Sequence, residues 1–137
     1  MQIGVFAFIE NKNKKVLLVQ DATREEKWTM PGGGLDFRET VTEGVVREIK
    51  EEIGVEATTS SLLGIFSQQK SPGIVILFEC KISSENFVLN NNEVQNARYF
   101  SIFEIEKNIE KIKPAQYAMI LKTLNKDETP IYSDFTI

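Results

Sequence analysis

A short stretch in the middle of the chain changes the hydrophobic period from that of a strand to that of a helix. Thr40, followed three residues later by a glutamate, forms the capping-box pattern that begins a helix, and Gly54 is a residue type at which helices commonly end. Between them, Val46, Ile49 and Ile53 recur at spacings of three and four residues, which predicts a core-facing stripe. Because strand-like runs lie on both sides, the chain must pack one central helix among strands. This predicts a mixed α/β fold.

The other apolar runs are short and rich in Val, Ile, Leu and Phe. They predict strands at residues 3–9, 16–19, 62–66, 74–82, 87–89 and 98–102, with a short extended piece at 28–30. The first two runs resemble a hairpin, because the polar residues 11–15 separate them. A second helix is predicted over residues 114–124, with Pro114 in its first turn. We expect helices flanking a largely antiparallel or mixed sheet, in a single domain over residues 1–137.

The composition excludes whole classes of catalytic site. The sequence contains no histidine and one cysteine, so Ser-His-Asp triads, Cys-His pairs and histidine-bound zinc are all ruled out. Cys80 lies within an apolar, strand-like run and is predicted to be a core residue. Any chemistry must therefore use carboxylates, amines, hydroxyls or a metal ion held by oxygen atoms.

The charge balance and the hydropathy limit the partners. Sixteen Lys and Arg residues stand against 20 Asp and Glu residues, which gives a formal net charge of -4 and argues against a broad basic face for nucleic acid. No stretch approaches the roughly 18 apolar residues of a membrane span, and the apolar N-terminal run lacks the basic start of a secretion signal. We expect a cytoplasmic monomer or homodimer with no nucleic-acid or membrane partner.

Three glutamates share one stripe of the predicted central helix. Glu48, Glu51 and Glu52 lie three and four residues apart and span about 100° of the helix surface. Such like charges repel one another unless a cation lies between them, and carboxylate oxygens suit Mg²⁺ or Mn²⁺. Taken alone, the stripe is more typical of a solvated surface than of a metal site. The glycines at positions 32–34 add a segment in which backbone groups can approach an ion or a phosphate closely.

Together these residues form a known pattern. Gly33, five residues, Glu39, seven residues and then Arg47-Glu48-Ile49-Lys50-Glu51-Glu52-Ile53-Gly54-Val55 resemble the Nudix box, which here covers residues 33–55. Residues 28–33 before the box and 98–101 after it extend the likeness. The resemblance to the Nudix (MutT-like) family implies an α/β/α sandwich around a mixed β-sheet. It also implies Mg²⁺-dependent hydrolysis of a nucleoside diphosphate linked to another moiety X, with Mn²⁺ as a possible substitute.

The resemblance further implies a role for each matched position. The implied metal ligands are Gly33, through its backbone carbonyl, and the carboxylates of Glu48, Glu51 and Glu52. Glu39 would support the site by charge or hydrogen bonding, and Arg47 would position the carboxylates. Because the chain has no histidine, a carboxylate must act as the base that activates water. We predict Glu48 first and Glu52 second.

Two further residues are candidate substrate contacts. Arg38 stands where the family often has glycine, just before Glu39, and would either add a cation near the substrate or point into solvent. Glu93 corresponds to a distant-loop carboxylate that serves as the base in some relatives, although alone it is typical of a loop surface. Pro72, 17 residues after Val55, resembles a proline of relatives that act on ADP-ribose, and turn chemistry explains it equally well.

Two functions remain open at this point. The first is a Mg²⁺-dependent pyrophosphohydrolase acting on a small nucleotide, namely a nucleoside triphosphate, ADP-ribose or a nucleotide sugar. The second is a ligand-sensing Nudix domain that binds such a molecule without hydrolysing it. Three converging carboxylates favour the enzyme, because a domain that only binds does not need them. The sequence leaves the identity of X open.

Overall fold

The computed structural model describes residues 2–23, 25–125 and 132–135. Its strands and helices follow in the order β1 (Ile3–Phe8), β2 (Val16–Asp21), β3 (Trp28–Thr29), β4 (Gly32–Gly34), α1 (Val41–Ile53), β5 (Ala57–Gln68), β6 (Ile74–Ile82), β7 (Val94–Phe100), α2 (Ile102–Lys107), a 3₁₀ turn (Ile109–Lys111), α3 (Pro114–Leu124) and β8 (Tyr132–Phe135). Within these ranges, no helix has the length and apolar character needed to cross a membrane.

In the described part of the chain, the strands form two sheets. The larger sheet has the order β4-β1-β6-β5-β8 and is mixed, because β1 runs parallel to β6 and β5 runs parallel to β8, whereas the β1–β4 and β5–β6 pairs are antiparallel. The smaller sheet, β3-β2-β7, is antiparallel. The sheet predicted from the sequence is therefore confirmed as mixed.

Side-chain alternation along the first two strands divides the apolar residues between two cores. Val5 and Ala7 of β1 and Leu17 of β2 face a core that is completed by α1. Phe8 of β1 and Leu18 of β2 face the opposite core, which is completed by α2 and α3. Helices thus cover both sides of a central layer of strands, and the predicted α/β/α sandwich is confirmed.

The first helix begins and ends where the sequence predicts. The Thr40 hydroxyl accepts a hydrogen bond from the Glu43 backbone N–H at 3.2 Å, and the Glu43 carboxylate accepts one from the Thr40 N–H at 2.8 Å. At the other end, Gly54 adopts a left-handed φ of 72° and its N–H donates to the Lys50 carbonyl. Both ends of α1 are therefore fixed by local interactions, which satisfy backbone groups that the helix itself leaves unpaired.

Close packing sets the inner face of α1, whose buried residues are Gly44, Val45, Ile49 and Ile53. The spacing of Val46, Ile49 and Ile53 predicted that Val46 faces the core. Val46 is instead half-buried, because the helix is rotated so that Val45 faces the sheets. A Cβ on Gly44 would lie 2.6 Å from Leu35 Cδ1 and 3.0 Å from Glu39 Oε1. The glycine therefore lets the preceding loop lie against the helix, with Glu39 beside it.

The predicted hairpin between the first two strands is wrong as a sheet pairing. The turn itself forms, because the Asn11 side chain accepts hydrogen bonds from the N–H groups of Asn13 and Lys15, and Glu10 and Val16 make one antiparallel bridge. Beyond that bridge the strands separate. β1 pairs with β4 and β6, and β2 pairs with β3 and β7, so the two runs join different sheets.

The predicted strand at residues 87–89 is also wrong. The segment runs past the end of α1, where the Val88 N–H donates to the Ile53 carbonyl at 2.9 Å and the Asn90 N–H donates to the Glu52 carbonyl at 3.0 Å. These bonds satisfy C-terminal carbonyls of the helix, so the segment acts as a cap rather than as a strand. Cys80 is buried in the core beside α1, as predicted.

Helix α2 and strand β8 were not predicted from the sequence. The run at 98–102 ends as a strand at Phe100, because Ser101 begins α2 through a second capping box with Glu104. The strand predicted at 62–66 extends over Ala57–Gln68, because it pairs with β6 along nearly its whole length. The helix predicted at residues 114–124 is confirmed with the same bounds.

Candidate active site

Arg47 is the centre of the polar cluster on the outer face of α1. Its Nη2 donates to Glu39 Oε1 at 2.7 Å and to the Gly34 carbonyl at 3.0 Å, and its Nε donates to Glu39 Oε2 at 3.0 Å. Its Nη1 donates to Glu51 Oε1 at 2.6 Å and to Glu48 Oε1 at 3.1 Å. One guanidinium thus bonds three glutamates and the backbone of β4, and its Nε also lies 3.3 Å from Asp36 Oδ2. This arrangement uses the planar fork of arginine donors.

The hydrogen bonds between Glu39 and Arg47 are the main cause of the pKa shifts of both groups. The hydrogen bond from Arg47, assisted by the Asp36 backbone N–H at 2.8 Å, holds the pKa of the Glu39 carboxyl below its usual range. The same hydrogen bond raises the pKa of the Arg47 guanidinium. The pair anchors the loop of residues 35–39 to α1.

Glu48 and Glu52 lie in a different environment, which penalises their negative charge. Burial is the main cause that raises the pKa of Glu48, and the hydrogen bond from Arg47 opposes it. Burial also raises the pKa of Glu52 to about 8, although Glu52 Oε1 accepts a hydrogen bond from the Gly32 N–H at 3.0 Å. Repulsion from the neighbouring glutamates, including Glu93, raises both values further. The carboxylates thus concentrate negative charge that protein groups only partly neutralise.

The glycines of β4 bring the backbone against these carboxylates. A Cβ on Gly33 would lie 2.8 Å from the carboxyl carbon and both oxygens of Glu48, which is closer than real contacts allow. Gly32 has a φ of 153°, and a Cβ there would lie 2.2 Å from the Val5 carbonyl oxygen. Gly32 therefore requires glycine for steric reasons, and the absence of a side chain at Gly33 leaves room for the Glu48 carboxylate.

A cavity of about 530 Å³ opens beside the cluster, and this volume is within the range of small-molecule sites. Gly32, Gly33 and Glu52 form one part of its wall. The wall continues along Phe6 and Gln68 of the larger sheet and Gln116 of α3. The acidic cluster therefore borders a space that can hold a nucleotide-sized ligand.

The two candidate substrate contacts, Arg38 and Glu93, have different surroundings. Arg38 has a left-handed φ of 73° and stacks its guanidinium over the exposed Phe37 ring, 5.4 Å from the ring centroid, outside the cavity. Glu93 lies in an exposed turn, yet it is close enough to Glu48 and Glu52 to raise their pKa values. The structure therefore brings Glu93 to the cluster and leaves Arg38 at the surface.

The chemistry of the donor set fits a hard divalent cation. Carboxylate oxygens from one helix face meet the glycine backbone of β4, and their charge is in excess over the single guanidinium of Arg47. Among the described residues, the side chains as they stand do not form a group of three acidic or thiol ligands around a common point. Arg47 holds Glu48 and Glu51, and Gly32 holds Glu52.

Beyond the Nudix box, Pro72 was singled out from the sequence and lines the cavity, whereas Gln116, Gln68 and Lys113 were not identified. Gln116 is 5% exposed and its Oε1 accepts a hydrogen bond from the Met30 N–H at 2.9 Å. A signal was available, because Gln116 precedes Met119 and Ile120 by three and four residues and so shares their buried helix face. Gln68 and Lys113 also line the cavity, and neither carried a recognisable motif.

Comparisons with known proteins agree with this geometry. The chain is 35% identical over 95 residues to mouse (Mus musculus) nucleoside diphosphate-linked moiety X motif 6, covering 65% of this chain and 30% of that protein. It is 37% identical over 65 residues to human (Homo sapiens) diphosphoinositol polyphosphate phosphohydrolase 3-alpha, covering 47% of this chain and 40% of that protein. The chain thus spans less than half the length of these relatives.

The fold has close counterparts among solved structures. A NUDIX hydrolase from Nitrosomonas europaea superposes with a TM-score of 0.82 at 25% sequence identity, covering 99% of this chain and 78% of that one. The family model described as the NUDIX domain matches residues 1–122, which include the whole of the cluster around Arg47. The chain therefore belongs to the Nudix family.

Proposed function

We propose that this protein hydrolyses the pyrophosphate linkage of a nucleoside diphosphate joined to another moiety X. The observation that carries the proposal is the position of Glu52, which lies both in the carboxylate cluster and on the wall of a nucleotide-sized cavity. The names of the two relatives above, one for a nucleoside diphosphate-linked moiety and one for a diphosphoinositol polyphosphate, share a diphosphate group. A diphosphate bound in the cavity would lie against the glycine backbone of β4.

The proposed cofactor is Mg²⁺, or Mn²⁺ in its place, and the proposed ligands are the Gly33 carbonyl and the carboxylates of Glu48, Glu51 and Glu52. Such an ion neutralises phosphate charge and lowers the pKa of a bound water. Arg47 would hold Glu48 and Glu51 in position through its two bonds from Nη1. Glu39 would in turn fix the Arg47 guanidinium, so its role is positioning rather than contact with substrate.

The proton acceptor for the attacking water is proposed to be Glu48, with Glu52 as the second candidate and Glu93 as the third. Glu48 has a bond from Arg47 that orients its carboxylate, and it lies against Gly33. Glu52 borders the cavity directly. Glu93 is close to both carboxylates but exposed. Glu93→Gln tests the third candidate separately, because Glu93 is not a proposed metal ligand: if it is the base, turnover should fall while metal binding is unchanged. Glu48→Gln and Glu52→Gln each remove a proposed ligand as well, so metal affinity is measured beside turnover in both.

The test of the function is a hydrolysis assay with nucleoside triphosphates, ADP-ribose and nucleotide sugars in Mg²⁺ or Mn²⁺. Pro72 lines the cavity, so ADP-ribose belongs in the panel. Release of phosphate or pyrophosphate from at least one compound is the expected result. Tight binding of one compound with no release from any would favour the alternative, a Nudix domain that senses a ligand without hydrolysing it.

Variants then test the metal ligands. Glu51→Gln and Glu52→Gln should lower turnover strongly while the protein remains folded. Glu56→Gln is the matched control, because Glu56 is an exposed glutamate just beyond α1 that pairs with Lys50. Wild-type rates in the first two variants would refute the proposed ligand set.

Three further expectations from the sequence stay predictions. They are a single domain over residues 1–137, a monomer or a homodimer, and a cytoplasmic location with no nucleic-acid or membrane partner. Light scattering coupled to size-exclusion chromatography measures the oligomeric state directly.

A further inference from the structure

The chain segment that leads into the glycines of β4 is tied to α3. Trp28 makes one parallel bridge with Ile112, and its carbonyl accepts a hydrogen bond from the Lys113 N–H at 3.3 Å. Two residues further on, the Met30 N–H donates to Gln116 Oε1 at 2.9 Å. Helix α3 carries none of the proposed metal ligands, yet it holds the chain just before them.

Gln116 is an unusual residue for its place on α3. Among the described residues, the buried polar side chains are those of Gln116 and Ser133. The neighbours of Gln116 on the same helix face, Met119 and Ile120, are apolar core residues. A buried amide is costly unless it is hydrogen-bonded, and Met30 is itself fully buried between β3 and β4, outside both strands. The bond therefore satisfies the side-chain carbonyl of one element and the backbone N–H of another.

One stiff residue separates this bond from the carboxylate cluster. Pro31 follows Met30, and its ring fixes φ at about −65°. Its carbonyl accepts a hydrogen bond from the Ala7 N–H at 2.8 Å. The next residue, Gly32, donates its N–H to Glu52 Oε1 at 3.0 Å. Because the proline cannot absorb a displacement by rotating about φ, a movement at Met30 passes on to the Gly32 N–H.

Strand β4 has few other contacts that fix its position. It is only three residues long, lies at the edge of the larger sheet and pairs with β1 alone among the described strands. Its remaining contacts are with the cluster itself, because Gly33 lies against Glu48 and the Gly34 carbonyl accepts from Arg47 Nη2 at 3.0 Å. An anchor on the other side of the strand therefore decides how β4 faces α1.

We propose that Gln116 is a positioning residue for the metal site. Through the Met30 N–H it holds the Gly32 N–H on Glu52 and keeps Gly33, whose carbonyl is a proposed ligand, in place for the ion. Gln116 acts on metal affinity rather than on the chemical step, because its bond is to the backbone and not to a ligand or a reacting atom. The inference deepens the proposed function, and it rests on that function only for its effect on turnover.

The first test needs neither metal nor substrate. Gln116→Met keeps the length of the side chain and replaces the amide oxygen by a thioether, which accepts hydrogen bonds only weakly. Hydrogen exchange at the Gly32 amide, followed by NMR in EDTA, should become faster by about tenfold, because the segment opens more easily once its anchor is lost. Ile120→Val is the matched control, since it removes a methyl group from the same buried face of α3 and keeps the bond to Met30.

The second test measures metal affinity without turnover. Titration of the nucleotide-free protein with Mn²⁺, followed by electron paramagnetic resonance, should give a Kd about tenfold higher in Gln116→Met than in the wild type. Gln116→Glu keeps an oxygen of the same reach for the Met30 N–H and should restore the affinity. Gln116→Asn shortens the amide by one methylene and should weaken Mn²⁺ binding with less disturbance of the packing. In a hydrolysis assay, the Mg²⁺ concentration for half-maximal turnover should rise in Gln116→Met while kcat at saturating Mg²⁺ stays near the wild-type value.

The outcomes separate failure of the inference from failure of the function. Gly32 exchange and Mn²⁺ affinity in folded Gln116→Met and Gln116→Asn that match those of Ile120→Val would overturn the inference and leave the hydrolase intact. Weaker Mn²⁺ binding in these variants of a protein that hydrolyses none of the nucleotides would support the inference and refute the hydrolase. An absence of Mn²⁺ binding in the wild type would overturn the inference together with the proposed ligand set.

Discussion

Replacing Arg47 by alanine should destabilise the metal-free protein more than any other single charge deletion on α1. The substitution removes donors to Glu39, Glu48 and Glu51 at distances between 2.6 and 3.1 Å. Hydrogen bonds to charged groups contribute about 1.5–3 kcal/mol each, but the partners are partly exposed and the contributions overlap. We expect the free energy of unfolding to fall by about 2–4 kcal/mol.

Lys50→Ala provides the matched control on the same helix. Lys50 forms one ion pair with Glu56 at 2.8 Å, and both side chains are more than half exposed, at 55% and 68%. Such a pair contributes about 0–1 kcal/mol. Arg47→Lys is the informative intermediate, because it preserves the charge but replaces the planar fork by one ammonium group that cannot reach all three carboxylates.

The measurement is urea denaturation at pH 7 in EDTA, so that no metal ion neutralises the carboxylates. The expected order of stability is wild type, then Lys50→Ala, then Arg47→Lys, then Arg47→Ala. Salt at 1 M should reduce the loss in Arg47→Ala, because it screens the repulsion among the remaining glutamates. A loss in Arg47→Ala no greater than that in Lys50→Ala would refute the view that Arg47 holds the cluster together.

Three other perturbations test separate parts of the structure. Because burial raises the Glu52 pKa from 4.5 to about 8, ionisation opposes folding, so the metal-free protein should lose a few kcal/mol of stability as pH rises from about 5 to 8. Glu52→Gln keeps an acceptor for the Gly32 N–H and should remove most of that loss, as measured by urea titrations at pH 5 and pH 8. The same loss of unfolding free energy between the two pH values in the variant and the wild type would contradict this. Arg38→Gly should raise the melting temperature by the equivalent of about 1 kcal/mol, because Arg38 has a left-handed φ of 73° that glycine adopts without strain. A lower melting temperature would mean that the contact of Arg38 with Phe37 outweighs this strain. The Cys80 thiol, whose pKa burial raises to about 12, should react with a disulfide reagent at pH 8 only after denaturant is added; fast reaction of the folded protein would place it at the surface.

Much of the candidate site was predictable because it is local in sequence. The ends of α1 follow from Thr40 and Gly54, whose effects act over a single turn. The spacing of Glu48, Glu51 and Glu52 puts their side chains on one helix stripe wherever the helix lies. The absence of histidine already limited any chemistry to carboxylates, amines, hydroxyls or a metal ion held by oxygen atoms. Each of these inferences needs only helical geometry or residue chemistry.

The errors concern contacts between residues far apart in sequence. The Asn11 turn forms as predicted, but the strands it joins enter different sheets, because their partners lie elsewhere in the chain. Residues 87–89 have a strand-like composition and instead cap α1, an outcome that depends on where the helix ends in space. Val45 is fully buried whereas Val46 packs against the edge of the same core, because the rotation of a helix is set by what it packs against.

The sequence by itself determined the acidic helix and its caps, because these depend on neighbours within one or two helical turns. Only the tertiary structure decided how Arg47 is shared among Glu39, Glu48 and Glu51, and which groups border the cavity. Gln116 meets Met30 across 86 positions of the chain, and no local pattern specifies that bond. The cavity arises from such long-range contacts too, since it exists only when the larger sheet and α3 pack together.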